Sequence, residues 1–259
     1  MGRIRLVAID VDGVIRDVSA LLYECHKAAL REIGLDRDFE RSFTPEELWH
    51  FKGLGKFNSR FLSLPTIAAV LREGKSEQLK KMIHEVNAED HIGKLVSVEA
   101  NYDIMEKLDQ MASVYAAKFN SDKSSSLITI YPKLDEVISR LEMAGKKVGI
   151  VTNSTRSSLE RDIPQKTLKG LSGIVTRESV KMLKPSGEGL RMISSMSGVG
   201  LDETIYIGDT VVDVLACKDA GCTSASVLSG MGLRQHLKRQ GTDAIFKDLD
   251  EAAAWILER

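Results

Sequence analysis

The sequence has few cysteines, no long apolar run and almost no net charge, and each of these absences excludes a class of protein. Its three cysteines are too few and too scattered in 259 residues for a disulfide framework or a zinc cluster. No apolar stretch approaches the roughly 20 residues that span a bilayer. The formal net charge of -1 gives no electrostatic reason to expect nucleic acid or an anionic membrane as a partner.

The remaining composition, 43% hydrophobic and 28% charged residues, is that of an ordinary globular protein. The first residues lead directly into an apolar segment and leave no room for a signal peptide, so we expect a cytoplasmic protein. In that reducing compartment Cys25, Cys217 and Cys222 are expected to be small buried apolar residues. Any affinity for phosphate must then come from a local site.

Two carboxylates stand directly after the first apolar run, Leu6 to Ile9. Asp10 and Asp12 are two positions apart and are followed by Gly13. In an extended segment both side chains leave on the same face, where their mutual repulsion favours a bound cation. The alternative is a strand that runs into an Asp-Gly turn.

The order of predicted elements indicates two domains. Residues 17–125 show helical periodicity, including a helix predicted over 102–119, and read as an inserted all-helical domain. Residues 126–259, beginning with a strand predicted over 127–130, alternate between apolar strands and amphipathic helices, which is typical of a doubly wound parallel sheet. The first strand belongs with them, so that 1–16 and 126–259 together form an α/β core.

Three further polar clusters lie at the carboxyl ends of predicted strands. Thr152 and Asn153 could form an anion-binding cup or simply cap a helix. Lys184 could place an ammonium over a phosphate or be a solvated surface lysine. Asp209 and Asp213 could hold a hard cation such as Mg²⁺, or form an acidic helix start. Each cluster taken alone allows two interpretations. The order of the clusters along the chain is much less ambiguous.

Together these clusters resemble the four motifs of the haloacid dehalogenase superfamily of phosphohydrolases. Asp10-Val-Asp12-Gly-Val14 resembles the first motif, Thr152-Asn153 the second, Lys184-Pro185 the third, and Gly208-Asp209 with Asp213 the fourth. The helical insert is similar to the cap of phosphoglycolate-phosphatase-like members. A cap placed there could cover the site.

The resemblance implies a set of roles. Asp10 would be the nucleophile that forms an aspartyl-phosphate. Asp12 would donate and accept the proton at the leaving oxygen and the attacking water. Thr152, the backbone N–H of Asn153 and Lys184 would hold the phosphoryl oxygens.

The resemblance also implies a magnesium site. Mg²⁺ would be held by the carboxylates of Asp10 and Asp209 and by the backbone carbonyl of Asp12. Asp213 would be a further ligand or would orient the metal waters or Lys184. Members that break carbon–halogen or carbon–phosphorus bonds lack the second Asp, so Asp12 favours phosphate esters.

The expected function is therefore a magnesium-dependent phosphatase that acts on a small phosphorylated metabolite. One alternative is a phosphomutase or phosphotransferase that passes the same aspartyl-phosphate to a sugar hydroxyl. Another is a non-catalytic protein that binds a phosphorylated ligand. Neither the identity of the metabolite nor the oligomeric state follows from the sequence.

Substrate specificity is expected to depend on the helical insert. The segment Phe51-Lys-Gly-Leu-Gly-Lys-Phe-Asn58 resembles a cap loop that enters the site, and its candidate residues are Lys52, Gly53, Lys56 and Asn58. The alternative is an interhelical loop with solvated lysines. Arg16 and Arg156 are further candidates for the same role.

Overall fold

The chain separates into two compact units. A computed structural model describes residues 3–98 and 101–259. One unit contains Met1–Asp17 and Thr129–Arg259, and the other contains Val18–Ile128. No helix in the described parts of the chain combines the length and the apolar character that a membrane crossing requires.

The unit Val18–Ile128 is helical. The helix α3 begins as its sequence predicts, because Thr44 Oγ1 accepts from the backbone N–H of Glu47 while the Glu47 carboxylate accepts from the N–H of Thr44. The helices of this unit are α1 (Ser19–Arg31), α2 (Asp36–Ser42), α3 (Pro45–Lys52), α4 (Arg60–Arg72), α5 (Ser76–Ile83), α6 (Ala88–Leu95), α7 (Tyr102–Glu106) and α8 (Leu108–Phe119).

The other unit is built on a six-stranded parallel sheet with the strand order β5-β4-β1-β6-β7-β8. A separate antiparallel pair, β2 with β3, adjoins the points where the chain leaves and re-enters this unit. The strands are β1 (Leu6–Ile9), β2 (Arg16–Asp17), β3 (Thr129–Ile130), β4 (Lys147–Val151), β5 (Gly173–Val175), β6 (Thr204–Gly208), β7 (Thr223–Val227) and β8 (Ala244–Phe246).

Helices cover both faces of this sheet, which confirms the predicted α/β class. The alternation of side chains along β1 sends Val7 and Ile9 into one apolar cluster and Leu6 and Ala8 into another. Helices α9, α10, α11 and α15 contribute to the first cluster, and α12 and α13 to the second. The helices of this unit are α9 (Leu134–Met143), α10 (Arg156–Asp162), α11 (Gln165–Gly170), α12 (Glu188–Ser197), α13 (Val211–Ala220), α14 (Arg234–Gln240) and α15 (Leu249–Leu257).

Two predicted elements differ from the structure. The predicted strand 127–130 is reduced to Thr129–Ile130, which pairs with β2 outside the main sheet. Thr129 is exposed, unlike the residues of a strand that is covered on both faces. The predicted helix 102–119 is two helices, because Lys107 bonds back to Ile104 and closes α7 with a tight turn.

His26 is a fully buried neutral imidazole in the helical unit. Its Nδ1 lies 2.8 Å from the carbonyl oxygen of Leu22, so Nδ1 must carry the proton and donate it. Its Nε2, 2.9 Å from Ser63 Oγ, then accepts from that hydroxyl. Burial, together with the nearby charge of Lys52, lowers the pKa of His26 to about 3.

We predict that His26 destabilises the fold in acid. Its pKa is lower in the folded than in the unfolded chain, so the unfolded state binds the proton first and stability is lost as pH falls from about 6.5 towards 3. Between about pH 7 and pH 4.5 this group should contribute a loss of roughly 2 to 3 kcal/mol in the free energy of unfolding.

The measurement is urea unfolding at both pH values for the parent and for His26→Asn. This variant keeps an N–H donor for Leu22 but does not titrate. Its stability should fall less between the two pH values than that of the parent. Equal losses in the two proteins would contradict the assignment.

Candidate active site

The carboxyl ends of the central strands bring the polar residues together. In the sheet, β1 lies between β4 and β6, and Ile9 is aligned with Ile150 and Ile207. The backbone N–H of Asp10 continues this ladder by donating to Ile207 O at 2.9 Å. Strands on either side of β1 connect in opposite directions across the sheet, so this edge is the switch point at which α/β proteins bind ligands.

Lys184 is the cation of this edge. Its Nζ lies 2.9 Å from Asp10 Oδ1, 2.6 Å from Asp213 Oδ1 and 2.7 Å from Tyr206 Oη, and its side chain is 7% exposed. Burial by itself lowers the pKa of Lys184, but the charges of Asp10 and Asp213 outweigh it and raise the pKa above its ordinary value. The ammonium therefore stays charged, and the surface-lysine alternative is wrong.

Three buried carboxylates face this one ammonium. Oxygens of Asp10, Asp209 and Asp213 lie within 4.8 Å of one another. Burial raises the pKa of Asp10 to about 7, against the lowering effect of Lys184. Burial, and then the charges of Asp213 and Asp10, raise the pKa of Asp209 well above its ordinary value. The cluster therefore has a local excess of negative charge.

Two oxygens of the cluster are short of partners, which is what a metal site requires. Asp209 Oδ1 is buried without a hydrogen-bond partner among residues 3–98 and 101–259. Asp10 Oδ1 makes the ion pair with Lys184 but no well-directed hydrogen bond within the same residues. Unsatisfied carboxylate oxygens of this kind are the ligands that hard divalent cations take, so the residues present fit a divalent metal ion.

Asp213 differs from the other two acids because both of its oxygens have donors. Oδ1 accepts from Lys184, while Oδ2 accepts from the N–H of Thr210 at 2.9 Å and from its hydroxyl at 2.6 Å. Burial raises the pKa of Asp213, but Lys184 and Thr210 outweigh it and hold this pKa below its usual value. Asp213 thus holds Lys184 in place and also caps α13.

Two glycines enclose Asp209. A Cβ on Gly13 would lie 2.2 Å, and one on Gly230 2.0 Å, from Asp209 Oδ2. Gly13 also has φ +84°, a region that favours glycine. Oδ2 accepts from the N–H of Met231 at 2.7 Å. The loop after β7 therefore positions Asp209.

Asp12 is held apart from this acidic cluster. Its Oδ1 accepts from Arg16 Nε at 2.7 Å and its Oδ2 from Ser154 Oγ at 2.6 Å. Burial raises the pKa of Asp12, but the charge and hydrogen bond of Arg16 outweigh it and lower the pKa. Each side-chain oxygen of Asp12 thus already accepts a hydrogen bond, which leaves the backbone carbonyl as the metal ligand that this residue could offer.

The second motif holds the third in place. Asn153 Oδ1 accepts from the backbone N–H of Lys184 at 2.9 Å, and Asn153 Nδ2 donates to the carbonyl of the same residue at 3.1 Å. The resemblance implied a role only for the backbone N–H of Asn153, whereas its side chain makes both of these hydrogen bonds to the backbone of Lys184. Thr152 is buried, and its Oγ1 accepts from the N–H of Ser154 at 3.1 Å.

Two parts of the site were not predicted from the sequence, and Arg16 was predicted in a different role, substrate specificity. Tyr206 is buried in β6, and its hydroxyl contacts Lys184 and donates to Val151 O at 2.9 Å. A tyrosine in a buried parallel strand needs such a partner, and this signal was available. The Gly230-Met231 turn and the buried Arg16 gave no comparable signal, because they meet the site only through the folding of distant segments.

The specificity candidates lie in the helical unit. The segment 51–58 is not an open loop, because α3 extends to Lys52 and Gly55–Asn58 form a short 3₁₀ helix. Lys52 is 2% exposed and donates to Asn58 O at 2.7 Å, so the solvated-lysine alternative is wrong for this residue. Gly53 is buried beside it, whereas Lys56 is exposed.

Neither of the two candidate arginines is solvated and unpaired. Arg16 is fully buried against Asp12, and Arg156 pairs with Glu160 at 2.7 Å. The interactions of Arg16 therefore belong to the site in the sheet unit.

The fold and site define an α/β protein that carries an acidic, lysine-containing site at the switch point of a parallel sheet. The chain belongs to the haloacid dehalogenase-like hydrolases, because the model of that family matches residues 63–227, more than half of its length. The resemblance drawn from the four motifs is thereby confirmed, although the first motif precedes the matched range.

Comparisons with individual proteins agree with this family. The chain is 36% identical over 126 residues to "Pyrophosphatase PpaX" from Bacillus velezensis, in an alignment that covers 47% of this chain and 56% of that relative. The alignment thus spans little more than half the length of that protein.

Solved structures share the fold. A proposed phosphoglycolate phosphatase from Lactobacillus delbrueckii subsp. bulgaricus aligns over 100% of both chains with a TM-score of 0.72 and 19% identity. A proposed beta-phosphoglucomutase from Bacteroides vulgatus aligns over 98% of this chain and 89% of its own with a TM-score of 0.62 and 19% identity. The fold alone therefore does not separate these activities.

We predict that Gly230→Ala destabilises the protein. The new methyl group would lie 2.0 Å from Asp209 Oδ2, so the carboxylate or the loop must shift, at a cost of about 1 to 3 kcal/mol. The control is Gly170→Ala, whose methyl group would meet nothing closer than Glu142 Oε1 at 3.8 Å. Chemical denaturation should separate the two variants, and equal stabilities would contradict this packing.

Proposed function

We propose that this protein is a magnesium-dependent phosphatase that hydrolyses a small phosphorylated metabolite through an aspartyl-phosphate on Asp10. The proposal is carried by one observation, the buried cluster in which Lys184 Nζ lies 2.9 Å from Asp10 Oδ1, beside an Asp209 oxygen that has no hydrogen-bond partner among the described residues. A phosphoryl group carries negative charge on several oxygens, so a site for its transfer needs a nucleophile, an ammonium and a metal ion close together.

In the first step an Asp10 oxygen attacks phosphorus and the bond to the leaving-group oxygen breaks. Asp12, which has to carry a proton when the substrate is bound, gives that proton to the leaving-group oxygen. In the second step Asp12 takes a proton from a water molecule, and this water attacks phosphorus, releases phosphate and restores Asp10. Mg²⁺, held by Asp10, Asp209 and the backbone carbonyl of Asp12, would supply positive charge that keeps the carboxylates ionised and offsets the charge of the phosphoryl group.

The phosphoryl oxygens would be held by Lys184, the Thr152 hydroxyl and the backbone N–H of Asn153. Preorganised donors of this kind act most strongly where water is excluded, and Thr152 and Lys184 are both buried. Asp213 and Tyr206 would act through Lys184 by fixing its ammonium. In this assignment Asp213 is a partner of Lys184 rather than a direct metal ligand, because its oxygens already have donors.

The substrate class follows in part from Lys52 in the helical unit. Burial lowers the pKa of Lys52 to about 7, and its ammonium has a single hydrogen-bond acceptor, Asn58 O, among the described residues. Within those residues it has no carboxylate partner. A buried ammonium without a counter-ion is costly, so we propose that Lys52, with Gly53, Lys56 and Asn58 of the same segment, receives an anionic leaving group.

We predict that Asp10→Asn loses essentially all turnover, because an amide is a poor nucleophile towards phosphorus. The measurement is phosphate release from a panel of phosphorylated metabolites with and without Mg²⁺. The panel includes inorganic pyrophosphate and phosphoglycolate, in view of the activities assigned to PpaX and to the Lactobacillus protein.

Asp122→Asn serves as the matched control, since Asp122 lies in the helical unit at the start of the 3₁₀ segment Asp122–Leu127. Turnover by Asp10→Asn at the rate of the parent would refute the nucleophile. Slow hydrolysis combined with the interconversion of sugar-phosphate isomers would instead identify a phosphomutase. No metal-dependent release from any substrate by the parent would favour a non-catalytic binding protein.

We further predict that Lys52→Met weakens the binding of substrates whose leaving group is anionic. A lost charge-assisted hydrogen bond of about 1.5 kcal/mol corresponds to an increase in KM of roughly tenfold. Substrates with a neutral leaving group should change little. The measurement is KM for one substrate of each kind.

The control for this prediction is Lys94→Met, which removes an exposed lysine from the same unit. It should leave both KM values unchanged. An equal change for both kinds of substrate in Lys52→Met would show that Lys52 only stabilises the helical unit.

A further inference from the structure

Arg16 carries a buried positive charge, and the mechanism above assigns it no role. Its guanidinium is fully buried, and it is the largest side chain among the fully buried residues that the structure describes. Nε donates to Asp12 Oδ1 at 2.7 Å, Nη1 to Asp162 Oδ2 at 2.5 Å and Nη2 to Ser158 Oγ at 3.0 Å. Burying a guanidinium carries a large desolvation penalty that apolar residues of similar volume avoid, so its presence calls for a reason.

The network ties Asp12 to one rigid element. Both Ser158 and Asp162 belong to α10, and Nη1 also donates to the carbonyl of Ser158 at 3.2 Å. The second contact of Asp12 is with Ser154, which lies just before α10. The chain that follows β4 therefore holds one oxygen of Asp12 directly, through Ser154, and the other indirectly, through Arg16.

The backbone also fixes the position of Arg16 relative to Asp12. Gly13 donates to Arg16 O at 2.8 Å and Arg16 donates to Val11 O at 3.0 Å, which closes a tight loop around the first motif. Arg16 then pairs with Ile130 in the β2–β3 ribbon. The guanidinium thus reaches Asp12 from a short loop that is closed by backbone hydrogen bonds.

We propose that Arg16 is a positioning residue that holds the Asp12 carboxylate in the orientation required for proton transfer to the leaving-group oxygen. The inference rests on the proposed function and adds a residue to it. In this assignment Arg16 acts through Asp12, with which its Nε forms a hydrogen bond. The network Arg16–Asp162–Ser158 supplies the rigidity that such an orientation requires.

A role through Asp12 and a purely structural role predict different dependences on the leaving group. A leaving group of high pKa, such as an alkyl alcohol, needs protonation as it departs, whereas p-nitrophenolate does not. The ratio kcat/KM reports the steps up to the first departure of the leaving group. Misplacing Asp12 should therefore lower kcat/KM for an alkyl phosphate and leave that for p-nitrophenyl phosphate nearly unchanged.

The test compares Arg16→Met with the parent on β-glycerophosphate and p-nitrophenyl phosphate in the presence of Mg²⁺. We expect kcat/KM to fall on the order of 30-fold for the alkyl ester, within the range of general acid catalysis, and less than about threefold for the aryl ester. Asp12→Asn should show the same selectivity. Arg161→Met is the matched control, because it removes another guanidinium from Asp162 at 2.6 Å without touching Asp12; it should show no selectivity.

Removing Arg16 also leaves the buried Asp162 without one partner, so Asp162→Asn is tested in parallel. That variant keeps the contact between Arg16 and Asp12 but loosens the anchor, and it should show a smaller loss with the same preference for the alkyl ester. If Arg16→Met fails to fold, this second variant decides the question.

Equal losses on both esters, or no loss on either, would overturn the positioning role and leave the proposed function intact. The parent could hydrolyse neither ester but hydrolyse another phosphorylated metabolite. The same comparison is then made between that metabolite and its analogue with a p-nitrophenyl leaving group. Absence of any phosphatase activity in the parent would overturn the proposed function, and the role of Arg16 with it.

Discussion

The site depends on one imbalance of charge, three buried carboxylates against a single ammonium. Lys184 lies within 3 Å of Asp10 and Asp213, but it cannot neutralise Asp209 as well. Burial removes the water that would otherwise screen these charges, so the excess has to be met by protonation or by a bound cation. Burial first, and then repulsion from the neighbouring carboxylates, raises the pKa of Asp10 and of Asp209 above the ordinary value.

Much of the surrounding structure serves to maintain that arrangement. Asn153 holds the backbone of Lys184, and Tyr206 holds its ammonium. Glycines leave room for Asp209, since any side chain at Gly13 or Gly230 would collide with its carboxylate. These contacts come from four separate strand ends and loops, and the parallel sheet is what places them at one edge.

In the helical unit the buried cation is Lys52, which has no carboxylate partner among the described residues. Lys52 donates to Asn58 O, and the segment around it is closed by the stacking of Phe51 on Phe57, with ring centroids 4.7 Å apart. The sequence predicts a loop in which Lys52 and Lys56 are equally good candidates for contact with the substrate. The structure separates them, because Lys52 ends α3 on its buried side while Lys56 faces solvent.

The α/β class and the positions of the motifs were predictable from the sequence, because strand and helix periodicity and the acids after apolar runs are local properties of the chain. The prediction for strand β3 was wrong because its pairing with β2 depends on contacts far away in sequence. The pairing of Asp213 with Lys184 and the burial of Arg16 against Asp12 became known from the three-dimensional fold. The physical reason is that the partner of a charge depends on which segments the fold brings within about 4 Å, and no local pattern encodes that distance.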